Sequence, residues 1–276
     1  MEFLKFYNNL IKEYTTIPKR EIDWAICWLL NKKNLFEIIK ITEEEKNKII
    51  NICNELNLGK PLAYVINNAE FFNYSFYVNE NVLIPRFETE LLVEKVINYA
   101  KNLNKPKILD LCSGSGCIAI SLAKSLNLTV DAVEISDKAI EVITKNAKLN
   151  NANINIIKSD LFKNVNKKYD IVVSNPPYIA SDEIKTLQSS VKKYEPHLAL
   201  DGGIDGLDFY RKIALKVPEY LTRNGHLFLE IGYDQQKTVP EILNKNFENI
   251  QVFNDYSNLP RMIVAKKKEI LKWLKN

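Results

Sequence analysis

From Lys107 to Lys267 the chain alternates short apolar runs with amphipathic stretches, and this alternation restricts the fold more than any other feature. Strands are expected at Lys107–Leu111, Thr129–Ile135, Ile154–Asp160, Tyr169–Ser174, His226–Gly232, Ile250–Tyr256 and Arg261–Lys267. Such runs, bounded by turn formers, suit strands buried on both faces. Alternation with helical patterns places helices over both sides of a mostly parallel sheet. Only Ser257 to Pro260 separates the last two strands, which predicts a hairpin and antiparallel pairing at one edge. The expected class is α/β, a seven-stranded, mostly parallel, Rossmann-like sheet, with a small N-terminal helical domain ahead of it.

That helical domain is read over residues 1–62. Residues 2–13 and 18–31 carry apolar positions at helical spacing, with Pro18 in a first turn after Thr16. Thr42-Glu43-Glu44-Glu45 fits a capping box for a helix reaching Leu58, and Gly59 suits the left-handed residue that closes it. Trp24, Trp28, Leu29 and Leu30 are expected in the core of the bundle, and the bundle is expected to dock a substrate. Residues 63–84 turn aromatic and β-branched, with Asn73 and Asn79-Glu80-Asn81 as turn formers, and read as a β-hairpin linker. Pro85 breaks the strand, acidic residues then open a helix over residues 88–103, and the catalytic domain spans 85–276. The basic tail Lys268–Asn276, with Leu271 and Trp273 interleaved, reads as a solvated terminal helix.

The bulk numbers exclude several classes. At 276 residues, 46% hydrophobic and 26% charged, the chain has an ordinary supply of core. It contains no apolar run long enough for a membrane span, and Met1-Glu2-Phe3-Leu4-Lys5 lacks the layout of a secretion signal. Four scattered cysteines and two histidines fit neither a disulfide framework nor a metal site. A reduced, cytoplasmic, monomeric protein is the expectation. A net charge of +4 permits an anionic partner without requiring one.

Chemistry concentrates at the strand ends. The first strand runs into Asp110-Leu111-Cys112-Ser113-Gly114-Ser115-Gly116-Cys117 and then a helix. Glycines there let the backbone approach a ligand closely. Ala119 stands where a dinucleotide fingerprint needs its third glycine, which weakens a pyrophosphate reading. Glu134 ends the second strand, where an acid can accept from both ribose hydroxyls. Asp160 ends the third, placed for an adenine amino group, with Leu161 and Phe162 against the ring. Acids at successive strand ends, around a loop without cations, suit a cationic, phosphate-free nucleoside. S-adenosylmethionine, leaving as S-adenosylhomocysteine, is the common one. Cys112 and Cys117 read as small packing residues.

Asn175-Pro176-Pro177-Tyr178 follows the fourth strand. The prolines fix φ and lack an N–H, so the arm is stiff and stays out of the sheet. The Asn175 side-chain oxygen and the Pro176 carbonyl can accept both hydrogens of an NH2 group, and Tyr178 offers a flat face beside it. On these four residues alone, a Pro-Pro turn around a buried tyrosine is the alternative.

With these motifs in place, the sequence resembles the HemK/PrmC family, the glutamine methyltransferases of class I peptide chain release factors. The resemblance covers Gly59 to the final strand. It is carried by Ile84-Pro85-Arg86-Phe87-Glu88-Thr89-Glu90, the Asp110–Gly116 loop, Asn175–Tyr178, Glu195-Pro196-His197, Gly202-Gly203-Ile204-Asp205-Gly206-Leu207 and Leu229-Glu230-Ile231-Gly232. It implies a methyltransferase fold and a donor site at Cys112, Ser113, Gly114, Ser115, Gly116, Glu134, Leu161 and Asn175, to which the strand-end reading adds Asp110, Asp160 and Phe162. It also implies an acceptor site at Asn175, Pro176, Pro177 and Tyr178, assisted by Arg86 and Glu90, for the glutamine of a Gly-Gly-Gln loop. Asn175, Pro176 and Tyr178 would carry catalysis, without metal and without direct nucleic-acid contact. Three departures stand out: Cys112-Ser113 for Gly-Thr, Leu161 for a frequent tryptophan, and Asn258 for a glycine in the last hairpin.

Rival readings share part of this chemistry. A DNA adenine-N6 methylase would call for a target-recognition segment and a strongly basic cleft. A ribosomal-protein glutamine methylase overlaps in its core motifs. A donor-binding module without transfer would require a vestigial arm.

Overall fold

A computed structural model describes residues 2–269, and the tail helix expected beyond that point lies outside the described residues. The chain divides into two compact units. One holds the chain up to Asn68 together with Gln188–Tyr194, and the other holds Ala69–Leu187 and the chain from Glu195 onward.

The first unit contains α1 (Glu2–Glu13), α2 (Lys19–Leu29), α3 (Glu43–Asn57), α4 (Leu62–Val65) and, inserted later in the chain, α8 (Ser189–Tyr194). The capping box at Thr42 is present: Glu45 N–H donates to Thr42 Oγ1 at 3.2 Å and Thr42 N–H to the Glu45 carboxylate at 2.8 Å. Gly59 is left-handed, with φ +83°. Pro18 sits at the N-cap of α2 rather than in its first turn. Ile22, Ala25 and Ile26 form the buried stripe of α2, against Ile49 and Cys53 of α3. Trp24 and Trp28 lie off that stripe and are 46% and 42% exposed, contrary to the core role expected of them. Leu29 and Leu30 pack at its edge.

In the second unit β1 (Ala69–Phe71) and β2 (Tyr74–Phe76) make a tight hairpin. Phe72 and Asn73 both adopt positive φ, as the favoured two-residue hairpin turn demands. The hairpin groups with this unit, and the division falls after Asn68 rather than after residue 62. Helix α5 (Phe87–Ala100) follows. Then come β3 (Ile108–Leu111), α6 (Cys117–Leu126), β4 (Val130–Glu134), α7 (Asp137–Leu149), β5 (Ile154–Lys158) and β6 (Tyr169–Ser174). The unit closes with α9 (Asp208–Tyr220), β7 (Leu221–Glu230), α10 (Thr238–Leu243), β8 (Phe247–Asn254) and β9 (Pro260–Lys267).

The seven-stranded sheet has the order β5-β4-β3-β6-β7-β9-β8. The β3–β4, β4–β5, β3–β6 and β6–β7 pairs are parallel, while β9 runs antiparallel to both β7 and β8. The expected hairpin is therefore present, with β9 inserted inside β8. Strand β7 begins at Leu221 rather than His226, because a register shift against β6 absorbs the intervening residues. Leu109, Leu111, Val172, Leu227 and Leu229 are wholly buried at the centre of the core. The chain leaves β3 toward β4 and β5 on one side, then returns to place β6 on the other. A crevice opens at the carboxyl ends of β3 and β6 at such a reversal.

Candidate active site

A cavity of about 340 Å³ occupies that crevice. The loop after β3 forms its floor, with Cys112, Ser113, Gly114 and Ser115 on the wall. Three residues of this loop are left-handed, Cys112 at φ +62°, Gly114 at +54° and Gly116 at +79°. A side chain at Gly114 would meet nothing within 4 Å, whereas one at Gly116 would press on Ile143 and Ile120 at 3.1 and 3.2 Å. A non-glycine residue in this conformation costs roughly 1–2 kcal/mol, so Cys112 is held there by its surroundings. Gly116 instead packs the loop onto α6 and α7 and does not line the cavity.

Buried polar groups fix the loop from behind. Asp110 is fully buried and off the cavity wall; its Oδ2 accepts from Ala119 N–H at 3.1 Å, inside the first turn of α6. Its Oδ1 has no hydrogen-bond partner among the described residues. Burial pushes its carboxyl up to about 7, with the Ser113 and Ala119 donors offsetting part of the effect and Glu134 adding to it. Asn146, on the buried stripe of α7, donates to Ser115 O at 2.9 Å and Tyr77 O at 3.0 Å, and accepts from Tyr77 N–H at 2.7 Å. Sequence reasoning missed Asn146. The available signal was an amide at the i+7 position of an otherwise apolar Ala139-Val142-Ile143 stripe.

Glu134 lines the cavity at the end of β4. Its carboxylate accepts from Gly114 N–H at 2.9 Å, Ile135 N–H at 2.8 Å and Ser136 N–H at 3.0 Å. Of about four acceptor positions on a carboxylate, three are thus taken, which leaves one direction for a ligand rather than two free oxygens. Asp160 and Leu161 also line the cavity. Strand β5 stops at Lys158, so Asp160 lies in the following loop and not at the strand end. Phe162 does not reach the cavity: it is buried against Tyr220, ring centroids 4.7 Å apart and nearly parallel. Leu161, at φ +46°, turns the chain so that its own side chain and not that of Phe162 faces the site.

The arm after β6 places Asn175 and Pro177 on the cavity wall, while Pro176 is buried beside them. Tyr178 is not on that wall; its hydroxyl donates to Glu230 at 3.4 Å and it packs against the core. A free tyrosine face at the cavity, expected from sequence, is therefore absent among the described residues. The Gly202–Gly206 segment clamps the arm. Ile179 N–H donates to Leu200 O at 3.0 Å, and Gly202 N–H returns to Ile179 O at 2.8 Å. A methyl at Gly202 would lie 2.8 Å from Tyr178 Cα, and one at Gly206 would collide with Tyr178 O. Only glycine permits this approach. Gln235, also missed from sequence, bridges Tyr178 O at 3.0 Å and Gly206 O at 3.3 Å.

Arg86 reaches the cavity and donates to the buried Glu195 at 2.5 Å. Glu90 does not line the cavity; its carboxylate accepts from Phe72 N–H at 3.0 Å and secures the β1–β2 turn. Asn258 has φ +61°, a conformation asparagine tolerates better than most residues. Among the described residues no group of His, Cys, Asp and Glu is placed to hold a metal, and no helix is long and apolar enough to cross a membrane.

A seven-stranded sheet of this order, a Gly-rich loop and acids after successive strands, and an Asn-Pro-Pro-Tyr arm define an S-adenosylmethionine-dependent methyltransferase. The family model described as "Methyltransferase small domain" matches residues 87–205. The fold is shared with the 16S rRNA N2 G1207 methyltransferase of T. Thermophilus, solved with AdoMet and guanosine, at a TM-score of 0.53 and 16% identity, covering 73% of this chain and 50% of that one. The release factor glutamine methyltransferase of Fusobacterium nucleatum is 44% identical over 234 residues, covering 83% of this chain and 66% of that protein. The protein of the same name from Thermodesulfovibrio yellowstonii is 39% identical over 261 residues, 91% of this chain and 94% of that one. The chain belongs to the release factor glutamine methyltransferase family.

Proposed function

We propose that this enzyme transfers a methyl group from S-adenosylmethionine to the side-chain amide nitrogen of the glutamine in the Gly-Gly-Gln loop of class I peptide chain release factors. The observation that carries the proposal is Asn175, an amide on the wall of a cavity also lined by Glu134, Asp160 and the Cys112–Ser115 loop. The names of the relatives favour a glutamine acceptor on a release factor over a ribosomal protein or a DNA adenine. The reading includes a cytoplasmic, monomeric enzyme without nucleic-acid contact of its own.

The residues fit such a donor. Glu134 has an acceptor direction left for a ribose hydroxyl, Gly114 leaves open space above its Cα, and Leu161 with Ile135 offers apolar cover for a planar base. Bound there, the donor supplies a methyl group already activated by its sulfonium. Asn175 Oδ1 and the Pro176 carbonyl accept the two hydrogens of the glutamine amide and hold its nitrogen in line. Alignment of this kind can supply roughly 7–11 kcal/mol of barrier reduction. As positive charge grows on the nitrogen, both acceptors bind its hydrogens more tightly than in the ground state. Pro177 and the clamped Tyr178 backbone keep the acceptors from yielding. The methylated nitrogen is acidic enough to release its proton to water.

Asn175→Ala is expected to depress turnover on a purified release factor far more than it weakens donor binding. Equal turnover of variant and wild type refutes the assignment. Release factor, ribosomal protein and duplex DNA offered with radiolabelled donor separate the three acceptors. The helical unit is proposed to dock the release factor through the exposed Trp24 and Trp28. Alanine at both should raise KM for the intact factor and leave a short glutamine peptide unaffected; an unchanged KM for the intact factor rejects that role.

A further inference from the structure

An asparagine side chain has two ends of nearly the same shape, and only its oxygen can accept from a substrate NH2 group. Something must keep the Asn175 oxygen turned to the acceptor. The first turn of α5, the end of β7 and the Asn-Pro-Pro-Tyr arm meet at one cluster of hydrogen bonds. Thr89 Oγ1–H donates to Glu230 Oε2 at 2.6 Å, and Asn175 Nδ2–H donates to Thr89 Oγ1 at 3.3 Å. Tyr178 O–H donates to the other oxygen of Glu230 at 3.4 Å, and Tyr210 O–H donates to the Glu230 main-chain carbonyl at 2.9 Å. Thr89 and Glu230 are 2% and 1% exposed, so bulk water does not compete for these bonds.

We propose that Thr89 and Glu230 are positioning residues that set the polarity of the Asn175 amide through a one-way chain of hydrogen bonds from amide to hydroxyl to carboxylate. This rests on the reading of Asn175 as the acceptor of the glutamine amide hydrogens. In its ionised form Glu230 can only accept, so the single Thr89 hydroxyl proton goes to it, and turnover is compared at about pH 8, where that form prevails. Thr89 then has only lone pairs to offer Asn175, which must present its NH2 group to them. The Oδ1 atom is left facing the cavity. A hydroxyl free to rotate would equally well donate to Oδ1 and accept the flipped amide. Glu230 removes that choice without touching the substrate.

Thr89→Val keeps the shape and removes the hydroxyl, Thr89→Ala is a second hydroxyl-free variant, and Thr89→Ser restores the relay. Turnover on a release factor is expected to fall about tenfold in the first two and to recover in the third. Thr89 also lines the cavity, but Glu134 and the Cys112–Ser115 wall keep their places, so donor Kd should change far less than turnover, staying within about twofold. In 15N-labelled protein the Asn175 NH2 signals, assigned by their loss in Asn175→Asp, should be protected from solvent exchange in wild type and Thr89→Ser only. Undiminished turnover in both hydroxyl-free variants, or equal Asn175 NH2 exchange in all proteins, overturns the relay. If wild type leaves the release factor glutamine unmethylated, the substrate assignment fails, and the exchange comparison still decides the relay.

Discussion

Glu230→Gln replaces a wholly buried carboxyl by an amide of the same shape, whose oxygen still accepts from Thr89 and whose nitrogen can face Tyr178. Burial pushes the Glu230 carboxyl from its ordinary 4.5 up to about 7; the Thr89 donor and the Arg261 charge pull it down, and Glu88 pushes it up. Between those two values the folded chain holds a proton that the unfolded chain has released. Stability from this group is therefore fully present below the unfolded value and is lost as pH rises through the folded one. The slope is about 1.4 kcal/mol per pH unit, and the loss totals about 3 kcal/mol across the interval. Asp110 titrates in a similar range in both proteins and cancels from the comparison. Urea unfolding of wild type and Glu230→Gln, from about pH 4 to about pH 8, should show the variant gaining on wild type by about that amount. A stability difference that stays constant over that range refutes the buried, pH-linked carboxyl. The same charge that costs stability near neutral pH is the acceptor that polarises Thr89.

Gly202→Ala should reduce turnover strongly and destabilise by about 2 kcal/mol, because the new methyl meets backbone at 2.8–2.9 Å and displaces the arm; wild-type kinetics in that variant contradict the clamp. Asn146→Ala should weaken donor affinity and cost about 3 kcal/mol, since it strands Ser115 O and both polar groups of the Tyr77 backbone. Isothermal titration and chemical unfolding measure the two effects, and an unchanged donor Kd rejects the role of Asn146 in shaping the loop.

Strand positions, the capping box, a turn at Asn73 and the Gly59 terminus were legible because each is encoded within a few neighbouring residues. So were Glu134, Asn175 and the Gly114 loop, which occupy the ends of strands whose identity a short apolar run reveals. Less legible was which of two adjacent side chains faces the site. Leu161 and Phe162 differ by one position, and the positive φ at Leu161, imposed by surroundings, decides that the leucine lines the cavity while the ring stacks on Tyr220. Trp24 and Trp28 likewise carry a hydrophobic signal that says nothing of which face of α2 meets its neighbours.

Local order, the alternation that makes a parallel sheet, and the placing of acids and an amide at its carboxyl edge are properties of the chain as written. They depend on backbone sterics and on contacts a few residues apart. Tertiary structure alone decided that Glu90 serves a hairpin, that Asp110 braces a helix, and that Thr89, Asn175, Tyr178 and Glu230 share one set of hydrogen bonds. The hydrogen-bonded partners stand 9 to 141 residues apart along the chain. Only packing brings such groups within reach, and only exclusion of water makes their pairing compulsory.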